Sequence, residues 1–317
     1  MNNNNNNIRN DGFDCVVYHS PCPDGTCACW IVQKFHRDSF GKEIDLFPCR
    51  AGSPPEKELE YFTDKNIIFV DICPDVEYLL KLSGVAKFIH IIDHHKTNFE
   101  KIVNMNPIPD NITHQFDMNQ SGCQLTWNSF YDTEQPWFVQ YIGDRDIWKF
   151  SLPNTNEYFS GIIEENLMNL DGFQELFNKI DDDDFKFNIF SVGKKSVEFR
   201  EKCIQNVMKF NKLECKYKNY RIWLYNCTKD LTSDVGNKLL KYKFSDDTLP
   251  DFSVGWIYDV QAAKFWISMR SDYDRQDVSS ICAELGGGGH RNASGCTLDY
   301  SVRLCDIFVP VSRQNNT

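Results

Sequence analysis

At 317 residues with a formal net charge of −11, the chain is long enough for two domains and lacks the broad basic face that tight, non-specific binding to long duplex nucleic acid requires. No apolar run approaches the roughly 20 residues of a membrane span. The 13 cysteines are odd in number, follow no signal peptide and show no C-x-x-C spacing, so the sequence predicts free thiols in a reducing, cytoplasmic setting, with no disulfide-linked partner and no structural zinc site.

Residues 1–11 are rich in asparagine and are predicted to form a disordered tail, because such a composition cannot bury a core. Residues 13–19 (FDCVVYH) read as a first strand, broken by Pro21, Pro23 and Gly25 and followed by a helix over 26–35. Strands are predicted at 44–49 and 67–70, the latter ending in Asp71. A helix over 74–82 follows, with Pro74 and Asp75 suited to its first turn. The apolar run 86–92 has the length and β-branched content of a buried parallel strand and ends in Asp93-His94-His95. A further strand is expected at 101–106, then helices at 121–131 and 137–141, with Gly143-Asp144-Arg145-Asp146 interrupting the second. From 157 to about 212 the pattern is helical, and the four acids at 181–184 read as a solvated turn. A second α/β unit begins near 220, with strands at 221–225, 252–258 and 264–269, a helix at 233–242, and the end of a helix at 279–285. The glycine run Gly286-Gly287-Gly288-Gly289-His290-Arg291-Asn292 comes next. Trp148, Trp256 and Trp266 are of a type that can stack bases but that more often sits in a core, and none is placed in the site.

The alternation over 13–150 implies a parallel sheet with helices on both faces. Right-handed crossovers then place every strand-to-helix loop on one edge. His19, Asp24, Asp71, Asp93, His94 and His95 all lie just after strands. They are expected to converge at the carboxyl edge, where open α/β sheets bind ligands. Acids and imidazoles gathered there can hold divalent ions, and a pair of ions needs a bridging carboxylate, for which Asp71 is well placed. Mixed imidazole and carboxylate ligation favours manganese over magnesium. Four successive glycines let backbone N–H groups approach an anion closely. His290 and Asn292 add side-chain donors there, and Arg270 and Arg291 are candidate phosphate contacts.

His19-Ser-Pro-Cys-Pro-Asp24-Gly25, Val70-Asp71, Asp93-His94-His95 and Gly143-Asp144-Arg145-Asp146 occur in the order of the four motifs of the DHH phosphoesterase superfamily. Residues 286–295 (GGGGHRNASG) resemble the signature of its DHHA1 accessory domain. The resemblance covers roughly residues 13–305. It implies an α/β architecture in which a parallel-sheet DHH catalytic domain (12–156) is joined by a helical connector (157–215) to a smaller α/β DHHA1 domain (216–308). A tail over 309–317 follows, and the active site is expected in the cleft between the two domains.

By the same resemblance His19, Asp24, Asp71, His94 and Asp144 match metal-ligand positions, for two Mn2+ or Mg2+ ions. Asp93 matches an acid that orients a histidine, and His95 a residue that steadies phosphoryl oxygens, so that Asp93, His94 and His95 form the catalytic triplet. Gly287, Gly288, Gly289, His290 and Asn292, with Arg270, match substrate contacts. The first motif departs from the pattern. Only Asp24 stands where two acids are usual, and Cys22 and Thr26 flank it. Asp146 is an alternative to Asp144.

The resemblance implies a metal-dependent enzyme that hydrolyses phosphodiester bonds of short single-stranded oligonucleotides or small nucleotides. A pyrophosphatase or polyphosphatase, and a non-catalytic nucleic-acid-binding protein, are the alternatives.

Overall fold

The computed structural model describes residues 12–50 and 52–311. The tail predicted at 1–11 and the last six positions of the one predicted at 309–317 lie outside them. The chain divides into two units, residues 1–197 and 198–317.

Unit 1 is built on five strands: β1 (Cys15–His19), β2 (Asp45–Cys49), β3 (Asn66–Val70), β4 (Phe88–Asp93) and β5 (Ile112–Phe116). All pairings are parallel, in the order β2-β1-β3-β4-β5. Between them lie α1 (Pro23–Phe40), α2 (Val76–Ser83) and α3 (Lys96–Val103); α4 (Gly122–Phe130), α5 (Trp137–Asp146), α6 (Thr155–Glu164), α7 (Leu170–Asn178) and α8 (Asp183–Phe210) follow. The last of these contains the boundary between the units.

The central strands are apolar because both faces are covered. Val16, Ile68, Val70 and Ile92 pack with Trp30 and Ile31 of α1, Phe130 of α4 and Phe138 of α5. Their neighbours in the alternation, Val17, Ile67, Phe69, Ile89 and Ile91, pack with Leu79 and Leu82 of α2 and Ile102 of α3. Each such side chain, fully buried, contributes about 1.5–3 kcal/mol. Pro48 lacks a backbone donor and sits in the edge strand β2, where that is tolerated.

The chain direction reverses about β1, so the crevice between β1 and β3 is the topological switch point of the sheet. His19 ends β1, Asp71 follows β3 and Asp93 ends β4, which puts all three at the carboxyl edge beside that crevice.

Three local expectations are corrected. The strand expected at 101–106 is the end of α3, whose Phe99, Ile102 and Val103 follow a helical spacing; β5 lies further on. The first helix starts at Pro23 rather than 26, because proline is pre-organised for a helix's first position, and it ends at Gly41 in the left-handed region (φ 62°). Gly143 does not interrupt α5. A Cβ there would stand 2.3 Å from the Gln124 side chain, so this glycine permits close approach of α4 and α5 within a continuous helix.

Unit 2 has strands β6 (Lys212–Tyr217), β7 (Tyr220–Asn226), β8 (Phe252–Asp259), β9 (Lys264–Arg270), β10 (Gly288–His290), β11 (Ala293–Asp299) and β12 (Val309–Pro310). They form a mixed sheet of order β10-β11-β9-β8-β7-β6-β12, in which only β7 and β8 run parallel. Its helices are α9 (Thr232–Leu239), α10 (Val278–Glu284) and α11 (Leu304–Ile307). Val235 and Leu239 of α9 cover one face with Trp223 and Tyr225, and Ile281 and Cys282 of α10 cover the other with Val254 and Met269. Residues 309–310, expected in a tail, pair with β6 as an edge strand. Among the described residues no helix is long and apolar enough to cross a membrane.

Candidate metal centre

Asp71 is the hub. It is 1% exposed, and its backbone is left-handed (φ 58°), which is unusual for a residue with a Cβ and marks a constrained site. One carboxylate oxygen, Oδ2, lies 3.2 Å from His19 Nδ1. The other, Oδ1, is buried and lies 3.1 Å from His94 Nε2. Burial works against the ionised form of Asp71, but the imidazoles of His19 and His94 outweigh it and hold the carboxyl below its usual range.

The His94 ring faces three acids. Its Nε2 is 3.1 Å from Asp71, 3.5 Å from Asp146 and 3.8 Å from Asp24. Burial lowers its pKa, but the three carboxylates win and push it up to about 10. Burial and neighbouring carboxylates raise the carboxyls of both Asp24 and Asp146. So many acids around one imidazole are a destabilising arrangement unless cations share the space.

Asp24 is fixed from the side. Its Oδ2 and Oδ1 accept the backbone N–H groups of Gly122 (2.6 Å) and Cys123 (3.0 Å), the first amides of α4. A helix start has such donors to spare and favours negative charge. Ser121 and Gln124 form a capping box that sets this start. Gly122 is obligatory here, because a Cβ would stand 2.6 Å from Asp71 Cβ and 2.9 Å from Asp24 Oδ2.

Asp93 is fully buried and organises the turn after β4. Its Oδ1 accepts the backbone N–H groups of His94 (2.7 Å) and His95 (3.2 Å) and pairs with His95 Nδ1 (2.6 Å). Its Oδ2 accepts from Asn98 (2.7 Å). The acid therefore orients the ring of His95, not that of His94.

Three overlapping groups have ligand atoms close enough to close on an ion: Asp71, Asp93, His94 and His95; His19, Cys22 and Asp71; and Asp24, His94 and Asp146. Asp71 and His94 each belong to two. The structure thus brings together His19, Asp24, Asp71, Asp93, His94 and His95 and excludes Asp144. Asp144 accepts from Ser151 N (2.8 Å), Ser151 Oγ (2.8 Å), Leu152 N (3.2 Å) and Thr155 Oγ1 (2.5 Å), so its carboxylate is spent on holding the loop between α5 and α6. Asp146 takes its place in the cluster. Thr26 is also excluded, because its hydroxyl donates to Cys22 O (2.7 Å).

In unit 2 the glycine run is not a continuous cradle of amides. The N–H groups of Gly286 and Gly287 bond to Ala283 O and Cys282 O and cap α10. Gly288, Gly289 and His290 then form β10 against β11. Glycine is needed for packing at two positions: a Cβ would lie 2.2 Å from Gly295 O at 287 and 2.7 Å from Ala293 O at 289, where φ is 139°. Asn292 donates to Ser271 O (3.0 Å), and Arg291 pairs with Asp277 (3.4 Å). The N–H of Gly287 is therefore occupied, and one side-chain donor of Asn292 is engaged by Ser271.

Arg270 lines a cavity of about 350 Å³ together with Lys229, Ser233, Trp266 and Gly288. Its guanidinium bonds to neutral oxygens of Ser268 (3.0 Å), Met269 (2.8 Å) and Ser233 (2.7 Å), and burial lowers its pKa. Trp266 and Trp148, of a type that more often sits in a core, are 43% and 37% exposed. Trp266 lines this cavity, and Trp148 carries the Arg145 guanidinium 4.0 Å from its ring centre.

The uncharacterized protein R106 of Acanthamoeba polyphaga mimivirus is 30% identical over 320 residues, covering 95% of this chain and 71% of the viral protein. An exopolyphosphatase-related protein from Bacteroides fragilis superposes with a TM-score of 0.51 at 17% identity, over 92% of this chain and 89% of that one. The chain belongs to one family with R106 and has the fold of the DHH phosphoesterases. Within that fold, the parallel sheet of unit 1 carries the acid and imidazole cluster and the mixed sheet of unit 2 carries the glycine run. A pGpG-specific phosphodiesterase, PggH from Vibrio cholerae, is also similar, at 16% identity over 90% of this chain and 93% of that one, with a TM-score of 0.43. No family model matches the chain.

Proposed function

We propose that this DHH-fold chain is a metal-dependent phosphodiester hydrolase acting on short single-stranded oligonucleotides or small nucleotides. The observation that carries the reading is the buried Asp71 carboxylate, with Oδ2 against the His19 imidazole, Oδ1 against that of His94, and further acids converging on the same point. Its oxygens face different donor groups, as a carboxylate shared by two cations would.

The donor set of carboxylates and imidazoles fits two divalent ions, with manganese favoured over magnesium at nitrogen ligands. Ions bound there supply charge neutralisation at phosphoryl oxygens and a water of lowered pKa. Asp71 would hold both positions, and Asp24, pinned to the start of α4, would hold one without moving. Asp93 fixes His95 in the orientation needed to steady a phosphoryl oxygen.

In unit 2 the Arg270 cavity offers a cation whose bonds are to neutral groups, with an exposed indole beside it. A phosphate and a base would satisfy these two features. The net charge of −11 favours short substrates, which need few phosphate contacts.

The test is a substrate panel of short RNA and DNA, cyclic dinucleotides, pyrophosphate and polyphosphate, with manganese present. Release of mononucleotides or linear dinucleotides, abolished by Asp71→Ala, is the expected result. Phosphate release from pyrophosphate with none from the nucleotides would replace the substrate class, and no turnover of any compound would reject hydrolysis.

A further inference from the structure

Two of the three ligand groups in unit 1, the two that share no residue, are chemically unequal. Asp24, His94 and Asp146 offer two carboxylates and an imidazole; His19, Cys22 and Asp71 offer an imidazole, a thiol and a carboxylate. Manganese and magnesium disfavour sulfur, whereas zinc takes imidazole, thiolate and carboxylate together.

Several features hold the sulfur at this position. Cys22 precedes Pro23, the first residue of α1, so its backbone is set by the helix start. Gly25, one turn on, presses against the site: a Cβ there would be 2.3 Å from His19 O and 3.0 Å from Asp71 Oδ2. That contact draws the whole first turn against Asp71. The Thr26 hydroxyl is turned to its own helix, donating to Cys22 O. Asp71 Oδ2, on a carboxylate only 1% exposed, faces this position at 3.2 Å from His19 Nδ1, and the ligand atoms of His19, Cys22 and Asp71 lie within reach of a single ion. Cys22 also lines an open cavity of about 620 Å³ with Tyr18, Ser20 and Asn169.

We infer that the centre is built for two different metals, a sulfur-binding ion such as zinc at His19–Cys22–Asp71 and a harder ion such as manganese at Asp24–His94–Asp146. Binding at the first position releases the thiol proton to solvent and forms a metal–sulfur bond, with no change of oxidation state. This inference rests on the proposed metal-dependent function and adds that a manganese-only preparation is not the native form.

The experiment loads the full-length chain with cobalt, whose bond to thiolate gives a sulfur-to-metal charge-transfer band in the near ultraviolet. Two cobalt ions per chain, with that band present in the wild type and absent from Cys22→Ser, are expected. In Cys22→Ser, zinc affinity at one of the two positions should fall by more than the roughly 10–100-fold typical of losing a supporting partner of a ligand, while manganese affinity changes little. Cys22→Asp should bind two manganese ions more tightly than the wild type does. Two cobalt ions without the band, in a folded wild-type chain, would overturn the inference and leave the hydrolase reading standing. No bound cobalt at all would overturn both.

Discussion

Asp144 and Asp146 stand two positions apart in one helix and do different work. Asp144 accepts four hydrogen bonds from the loop that follows α5, and Asp146 reaches His94. Asp144→Ala should therefore lower stability by about 3 kcal/mol, since it strands buried donors, and act on metal affinity only through unfolding. Asp146→Ala should leave the unfolding midpoint of the metal-free chain nearly unchanged and weaken metal binding by more than tenfold, a loss comparable to or larger than that for a supporting partner. Chemical denaturation and metal titration of both variants separate the two roles. The motif Gly-Asp-Arg-Asp presents both acids to a reader of sequence, and only the helix phase decides between them. Likewise the sequence offers Cys22 and Thr26 for the missing acid, and a hydroxyl bonded to its own helix removes one of them.

At the scale of elements, the strands were the most legible part, because buried parallel strands carry continuous β-branched runs. Their carboxyl ends predicted the gathering of His19, Asp71 and the Asp93-His94-His95 triplet. The short helix α3 and the strand β10 were not legible. The first buries a single residue, Ile102, and the second consists mainly of glycine, which reads equally well as loop.

The strand β4 also holds a histidine that the site does not use. His90 is buried against Phe13 and Phe88, with Nδ1 2.7 Å from Thr113 Oγ1 and Nε2 unpartnered. Burial first, and then the neighbouring His114, pull its pKa down to about 3. A depressed histidine stays neutral when folded, while the unfolded chain takes up a proton below its ordinary pKa of about 6.5. The strand's stability is therefore full above about pH 6.5 and falls as pH drops from there toward 3, by up to about 1.4 kcal/mol per unit. Thermal midpoints of His90→Phe between about pH 7 and pH 5 should fall less steeply than those of the wild type. Equal slopes would show that His90 does not titrate this way.

For the whole molecule, the acidic centre would couple the stability of unit 1 to bound cations. Asp24, Asp71 and Asp146 converge on one imidazole, and bound cations would relieve their repulsion. A ligand that binds only the folded form at 100 times its dissociation constant stabilises by about 2.7 kcal/mol. Melting in manganese plus zinc, against melting in chelator, should raise the transition of unit 1 and leave that of unit 2 in place. Asp71→Ala should remove the rise. The division near residue 197 falls within α8 and inside the span 157–215 read from the sequence as a helical connector; helical periodicity is continuous there, so the sequence marks no single residue as the boundary.

Gly122 carries no reactive group, yet its bare backbone is wedged against both Asp24 and Asp71. The gap between the two acids is thus moulded by a missing side chain. Comparing such chains by their chemically active residues alone would score this position as silent, although it is as restricted as any of the ligands around it.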